Sequence, residues 1–150
     1  MNSIHYEQGC DFCDIARGAA PETERVWEAE SWLAFFPLDP ATPGHTLIIP
    51  RTHVTDLWDV KRPLDEQLIH ASIQMGRAIR TALSPDGLNL ITSAGRTAEQ
   101  TVFHLHLHVV PRWNDDGFGR IWPSEGKYEN ADLEARADRI HDAYEELDEP

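Results

Sequence analysis

A chain of 150 residues with 41% hydrophobic content carries enough apolar side chain for one globular core and one main site. Thirteen Lys and Arg against twenty-six Asp and Glu give a formal charge of −13, which argues against a surface that neutralises the phosphates of a long nucleic acid and leaves room for a small anion in a locally positive pocket. No apolar run reaches the roughly 18 residues of a membrane span, and MNSIHYEQGC has neither the basic nor the apolar region of a signal peptide, so a cytoplasmic protein without a membrane partner is expected.

Cys10 and Cys13 are the two cysteines. In a reducing compartment such a pair reads as a metal or redox element rather than a structural disulfide. Val26 to Phe36 predicts two short strands joined by a polar turn around Glu28 to Ser31. Pro37, Pro40, Pro43 and Gly44 then interrupt regular structure until the apolar strand Thr46 to Ile49. From Pro63 to Leu83 the period changes: Leu64, Leu68, Ala71, Met75, Ile79 and Ala82 recur three or four residues apart, as on one face of a helix, and Pro85-Asp86-Gly87 stops it. Leu88 to Thr92 and Val102 to Val110 predict two further strands around the polar loop Ser93 to Thr101. A last helix follows Asn130 as N-cap, with Leu133, Ala137, Ile140, Tyr144 and Leu147 on one stripe. Strands, an inserted helix and strands again predict an α+β fold with a mainly antiparallel sheet.

The densest chemistry lies in FHLHLHVVP, residues 103 to 111. On a strand, alternation turns His104, His106 and His108 to one face at intervals of roughly 6 to 7 Å, and Leu105, Leu107 and Val109 to the other. Three imidazoles so placed can be a metal triad, a nucleophile with supporting groups, or a polar face. Zinc ligands must converge to about 2 Å from the metal, which rings roughly 6 to 7 Å apart along a flat strand do poorly, so one of them can bind a metal more readily than all three together.

FHLHLHVVPRW resembles the His-φ-His-φ-His-φ-φ signature of the histidine triad (HIT) family of nucleotide hydrolases and transferases. DFCDIARG resembles the opening element of that family, PATPGHTLIIPRTHV its first-half motif, and SAGRTAEQTVFHLHLHVVPR its second-half motif, so that the likeness covers about residues 10 to 123. It implies a single HIT domain over residues 1 to 150, with a C-terminal extension carrying the helix at about 130 to 147. It also implies a five-stranded sheet with a main helix and an additional C-terminal helix, and a homodimer. The implied reaction is attack of a histidine on the α-phosphorus of a phosphoramidate or dinucleoside polyphosphate, followed by hydrolysis of the nucleotidyl-imidazole to the nucleoside monophosphate. A neutral imidazole suits this role, since its ordinary pKa near 6.5 leaves most of it unprotonated at pH 7.

Carried over position by position, the resemblance makes His106 the nucleophile, His108 a partner of the phosphate or leaving group, and His45 the residue that completes the cluster. Gln100 and Thr101, with Ser93 at the start of the loop, stand at phosphate-binding positions. Phe12, Ile15, Phe35 and Leu38 stand where the base of a purine nucleotide, of adenosine type, would lie. Some branches of the family bind zinc through positions that are Cys10, Cys13, His53 and His104 here. Two thiolates and two imidazoles close a tetrahedral site, which implies structural Zn²⁺ and no organic cofactor. The chain departs from the pattern at Pro37, where an acidic ribose-binding residue is common and Asp39 lies two residues later, at Ser93 in place of Asn, and at Glu99 in place of Gly. Trp122, in GRIWPSEG, matches a Trp-Pro segment that reaches toward a partner's site in dimeric members. Two rival readings follow: a HIT-fold nucleotide-binding module with negligible turnover, and a metal hydrolase using all three histidines as ligands.

Overall fold

The hairpin forms as β1 (Arg25–Glu28) and β2 (Trp32–Phe35), paired antiparallel, with Ala29 N–H bonded to the carbonyl of Trp32 across the turn. This computed structural model describes residues 4–123 and 132–147. After the Pro-rich loop comes β3 (Thr46–Pro50), then the long helix α2 (Leu64–Leu83), β4 (Gly87–Ile91) and β5 (Leu107–Arg112). The strands form one five-stranded sheet in the order β1-β2-β3-β5-β4, with every pairing antiparallel. This is the expected α+β architecture.

Every residue of β3 is buried, because both faces of the sheet are covered there. On one face Ala34, Ile48, Leu105, Leu107 and Val109 pack against Leu68, Ala71, Met75 and Ile79 of α2. On the other, Leu33, Phe35, Leu47 and Ile49 pack against Ile15 and Ala16 of a short helix, α1 (Asp11–Ala16), which sequence periodicity did not reveal. At roughly 1.5–3 kcal/mol for each large aliphatic side chain fully buried, these two layers supply the main driving force and fix which way each strand faces. The periodic residues of α2 meet the core as expected except Ala82, which is exposed.

The strand expected from Val102 begins only at Leu107. Residues 102–106 leave the sheet's ladder for other partners: Leu105 N–H bonds the carbonyl of Val54, and the Thr92 hydroxyl bonds the carbonyl of His106. The alternation of faces nevertheless persists through this segment, so Leu105 and Leu107 enter the core and His104 and His106 turn away from it.

The chain divides into two compact units, Met1–Phe118 and Gly119–Pro150. The first holds the sheet, α1 and α2. The second holds Trp122, which is exposed, and α3 (Leu133–Leu147), none of whose residues is buried. The N-cap expected at Asn130 lies outside the described residues. Among the described residues no helix is long and apolar enough to cross a membrane.

Candidate active site and metal centre

Four potential ligands converge where three separate segments meet. Cys10 and Cys13 come from α1 and the residue before it, His53 from the chain just after β3, and His104 from the segment before β5. Their donor atoms lie within 4.8 Å of one another. The Sγ of Cys10 is 3.5 Å from His104 Nδ1, and that of Cys13 is 3.4 Å from His53 Nδ1 and 3.5 Å from His104 Nδ1. With Zn–S near 2.3 Å and Zn–N near 2.0 Å, the sulfur-to-nitrogen edge of a tetrahedron is about 3.5 Å, so the spacing fits zinc. The orientation of His104 fits as well. Its Nε2 faces the carbonyl oxygen of Pro50 at 2.9 Å, an acceptor only, so Nε2 carries the hydrogen and Nδ1 presents its lone pair to the thiols. Without a cation, burial first of all pushes the Cys13 thiol up to about 11 and the His104 imidazole down to about 4. A bound dication reverses the first of these by favouring thiolate.

The same bookkeeping fixes the protons of the other three histidines. His106 Nδ1 lies 2.7 Å from the carbonyl oxygen of His104, so Nδ1 donates and Nε2 keeps its lone pair. Ala41 N–H donates to His45 Nδ1 at 3.0 Å, which leaves the hydrogen of neutral His45 on Nε2. That nitrogen is 2.9 Å from His108 Nδ1, which accepts, so His108 bears its own hydrogen on Nε2. The rings of His106 and His108 lie 4.8 Å apart. One ring thus offers a lone pair and its neighbour an N–H, a pairing suited to attack on a phosphorus and to hydrogen bonding of a departing or phosphoryl oxygen beside it. Burial, ahead of all other causes, holds the three neutral: it lowers His106 and His45, and with the neighbouring imidazoles of His106 and His45 it takes His108 down to about 4.

Of the four residues expected around a base, Phe12 meets the histidines, its ring 5.2 Å from that of His106 and 6.0 Å from that of His104 in edge-on geometry. Ile15 and Phe35 are spent on the core beneath it, and Leu38 stands 90% exposed. Gln100 makes its side-chain bonds within the protein. Its carboxamide is buried and fully engaged inside its own loop, accepting from Gly95 N–H at 2.8 Å and donating to the carbonyls of Thr55 and Val102 at 2.8 and 3.1 Å. These bonds brace the loop, in which Thr101 is exposed and Ser93 half-buried. Pro37 is half-buried and Asp39 exposed. Arg112 is drawn away to Asp116, Asn89 and the ring of Phe118. Sequence reasoning missed Ala41, Thr42, Pro50 and Thr92, which hold the histidines through backbone groups or hydroxyls and carry no residue-type signal of that role.

Comparison with known proteins bears on this arrangement. The HIT domain model matches residues 20–115. Protein hit of Bacillus subtilis is 39% identical over 133 residues, covering 87% of this chain and 91% of that protein. The adenosine 5'-monophosphoramidase hnt1 of Schizosaccharomyces pombe is 32% identical over 116 residues, covering 77% and 84%. Among solved structures, a Zn-bound histidine triad family protein from Mycobacterium smegmatis superposes with a TM-score of 0.70 at 37% identity, over 90% of this chain and 97% of that one.

Proposed function

The chain belongs to the histidine triad (HIT) family, and from that premise we propose that it is a nucleotide hydrolase or transferase that opens the α-phosphate bond of nucleoside phosphoramidates or dinucleoside polyphosphates through a nucleotidyl-His106 intermediate. The observation that carries the reading is the bond from His106 Nδ1 to the His104 carbonyl, which pins the ring and leaves Nε2 as a neutral nucleophile. In the first step Nε2 forms a bond to the α-phosphorus as the bond to the leaving group breaks, with the His108 Nε2–H hydrogen-bonded to that group and solvent water supplying the proton the group takes up. In the second, water displaces His106 Nε2 from phosphorus, its surplus proton passes to solvent, and the nucleoside monophosphate departs. His45 supports His108 from behind throughout. The monophosphoramidase relative supports an adenosine substrate, and Phe12, edge-on to His106, is an aromatic surface beside the nucleophile's ring.

Zinc held by Cys10, Cys13, His53 and His104 has a structural part in this proposal, since four protein donors leave no open position for a metal-bound water. The metal ties α1 and the chain after β3 to the segment that carries His104 and His106. Thiols that serve as ligands need a reducing compartment, which supports a cytoplasmic location. A homodimer is supported by the apolar surface of α2 and the sheet edge. Ile69 and Ile73 on α2 and Leu88 and Leu90 on β4 are each about half exposed, and a groove of about 560 Å³ runs between the two elements. An edge strand with apolar side chains is covered by pairing with a second copy.

The test is incubation with an adenosine phosphoramidate or a dinucleoside polyphosphate, followed by mass measurement of protein and products. The expected result is release of the monophosphate, with transient nucleotidylation mapped to His106. His106→Asn should abolish release while holding nucleotide affinity within about tenfold, because a nucleophile acts mostly in the transition state. Binding without turnover in the wild-type protein would favour a nucleotide-binding module instead. Loss of activity in step with metal removal from a still-folded protein would favour a metal hydrolase.

A further inference from the structure

We infer that Thr42 is a positioning residue of this site: its hydroxyl clamps the turn that fixes the hydrogen-bearing nitrogen of His45 and, through it, that of His108. The inference rests on the proposed reaction for its catalytic consequence but not for its geometry. Thr42 is 3% exposed, and its hydroxyl donates to the carbonyl oxygen of Pro111 at 2.7 Å across 69 residues of chain. Pro111 lies on β5, the strand that carries His108. The carbonyl of Thr42 accepts the N–H of His45 at 3.1 Å. The residue before Thr42, Ala41, supplies the N–H to His45 Nδ1. Gly44 reverses the chain at φ +83, a conformation suited to glycine, and brings His45 back over this donor.

Each link has a chemical reason. A neutral imidazole exchanges its hydrogen between two nitrogens unless a fixed partner selects one. Ala41 N–H, a donor only, selects the Nε2–H form of His45, and His45 then selects the Nε2–H form of His108. Ala41 itself is exposed, so water competes for its N–H if the turn loosens. The bond that closes this turn onto the strand of His108 is the one from Thr42 to Pro111. A buried hydroxyl placed there controls the register between the two rings without touching substrate.

Thr42→Val, near in size and lacking the hydroxyl, is the test, with Thr42→Ser as the conservative variant that restores it. Imidazole ¹⁵N spectra of uniformly labelled, metal-loaded protein read the tautomers directly. Wild-type His45 and His108 should each show one well-separated pair of ¹⁵N shifts, and in Thr42→Val the His108 pair should move toward averaged values. Turnover number should fall about tenfold with KM changed by less than about twofold, the loss expected when one hydrogen bond to the departing group is weakened in the transition state, and Thr42→Ser should recover both readouts. If Thr42→Val does not fold, Thr42→Ala removes the same hydroxyl with space for water and carries the same expectations. Wild-type ring shifts and turnover in a folded variant, with lowered melting temperature alone, would show a merely structural hydroxyl and overturn the inference. If the wild-type protein turned over no nucleotide derivative, the proposed function would fall, and the ring spectra would still decide the role of Thr42.

Discussion

Replacing Cys13 by alanine should remove the metal and loosen the join among three segments. Cys13 lies 40 residues from His53 and 91 from His104, so a metal at this site closes long loops. On the chain-entropy estimate, one closed loop of about 40 residues is worth about 4 kcal/mol, which bounds from above what the first loop supplies. A ligand-binding estimate gives about 2.7 kcal/mol at free zinc a hundredfold above its Kd. To this the substitution adds the loss of a fully buried side chain, about 1 kcal/mol. With each kcal/mol shifting the melting temperature of a domain this size by about 3–4 °C, Cys13→Ala should melt about 10–15 °C below the zinc-loaded protein. Elemental analysis should find about one zinc per wild-type chain, and melting followed by circular dichroism should show a chelator bringing the wild type most of the way to the variant. The variant itself should not respond. Hydrogen exchange should quicken first in residues 4–17, because Cys10 and Cys13 fasten that segment. Zinc that is removed with no change in melting, or freely prepared protein that carries none, would refute the reasoning.

Three further outcomes follow from the geometry. Burial lowers the pKa of His106, His45 and His108, the last to about 4, so their neutral forms persist below the ordinary imidazole range. The acid limb of kcat/KM should therefore fall well below pH 6.5, with metal content checked at each pH, and a limb centred on 6.5 would contradict the burial argument. Gln100→Ala strips partners from Gly95 N–H and from the carbonyls of Thr55 and Val102, and should cost about 1–3 kcal/mol in urea denaturation. Leu90→Glu puts a charge on the exposed edge strand and should leave the protein monomeric in light scattering where the wild type forms the proposed homodimer, with the fold intact by circular dichroism.

Several parts of the site were legible in the sequence because their signal is local. The period of α2, the hairpin around Ala29, and the alternation that sends Leu105, Leu107 and Val109 to the core each follow from backbone geometry acting over a few residues. The spacing of Cys10, Cys13, His53, His104 and His106, with the family resemblance, was enough to nominate the metal ligands and the nucleophile. The tertiary structure decided the rest. β5 starts at Leu107 and not at Val102 because Val54 and Thr92, distant in sequence, capture the backbone in between. The Gln100 carboxamide faces inward because three backbone groups, in its own loop and at residue 55, supply it with a donor and two acceptors. The protons of His45, His104, His106 and His108 were beyond the sequence for the same reason. A ring's tautomer is set by whichever donor or acceptor faces it, and here those are the backbone groups of Ala41, Pro50 and His104 and a second imidazole, brought into place only when the sheet closes.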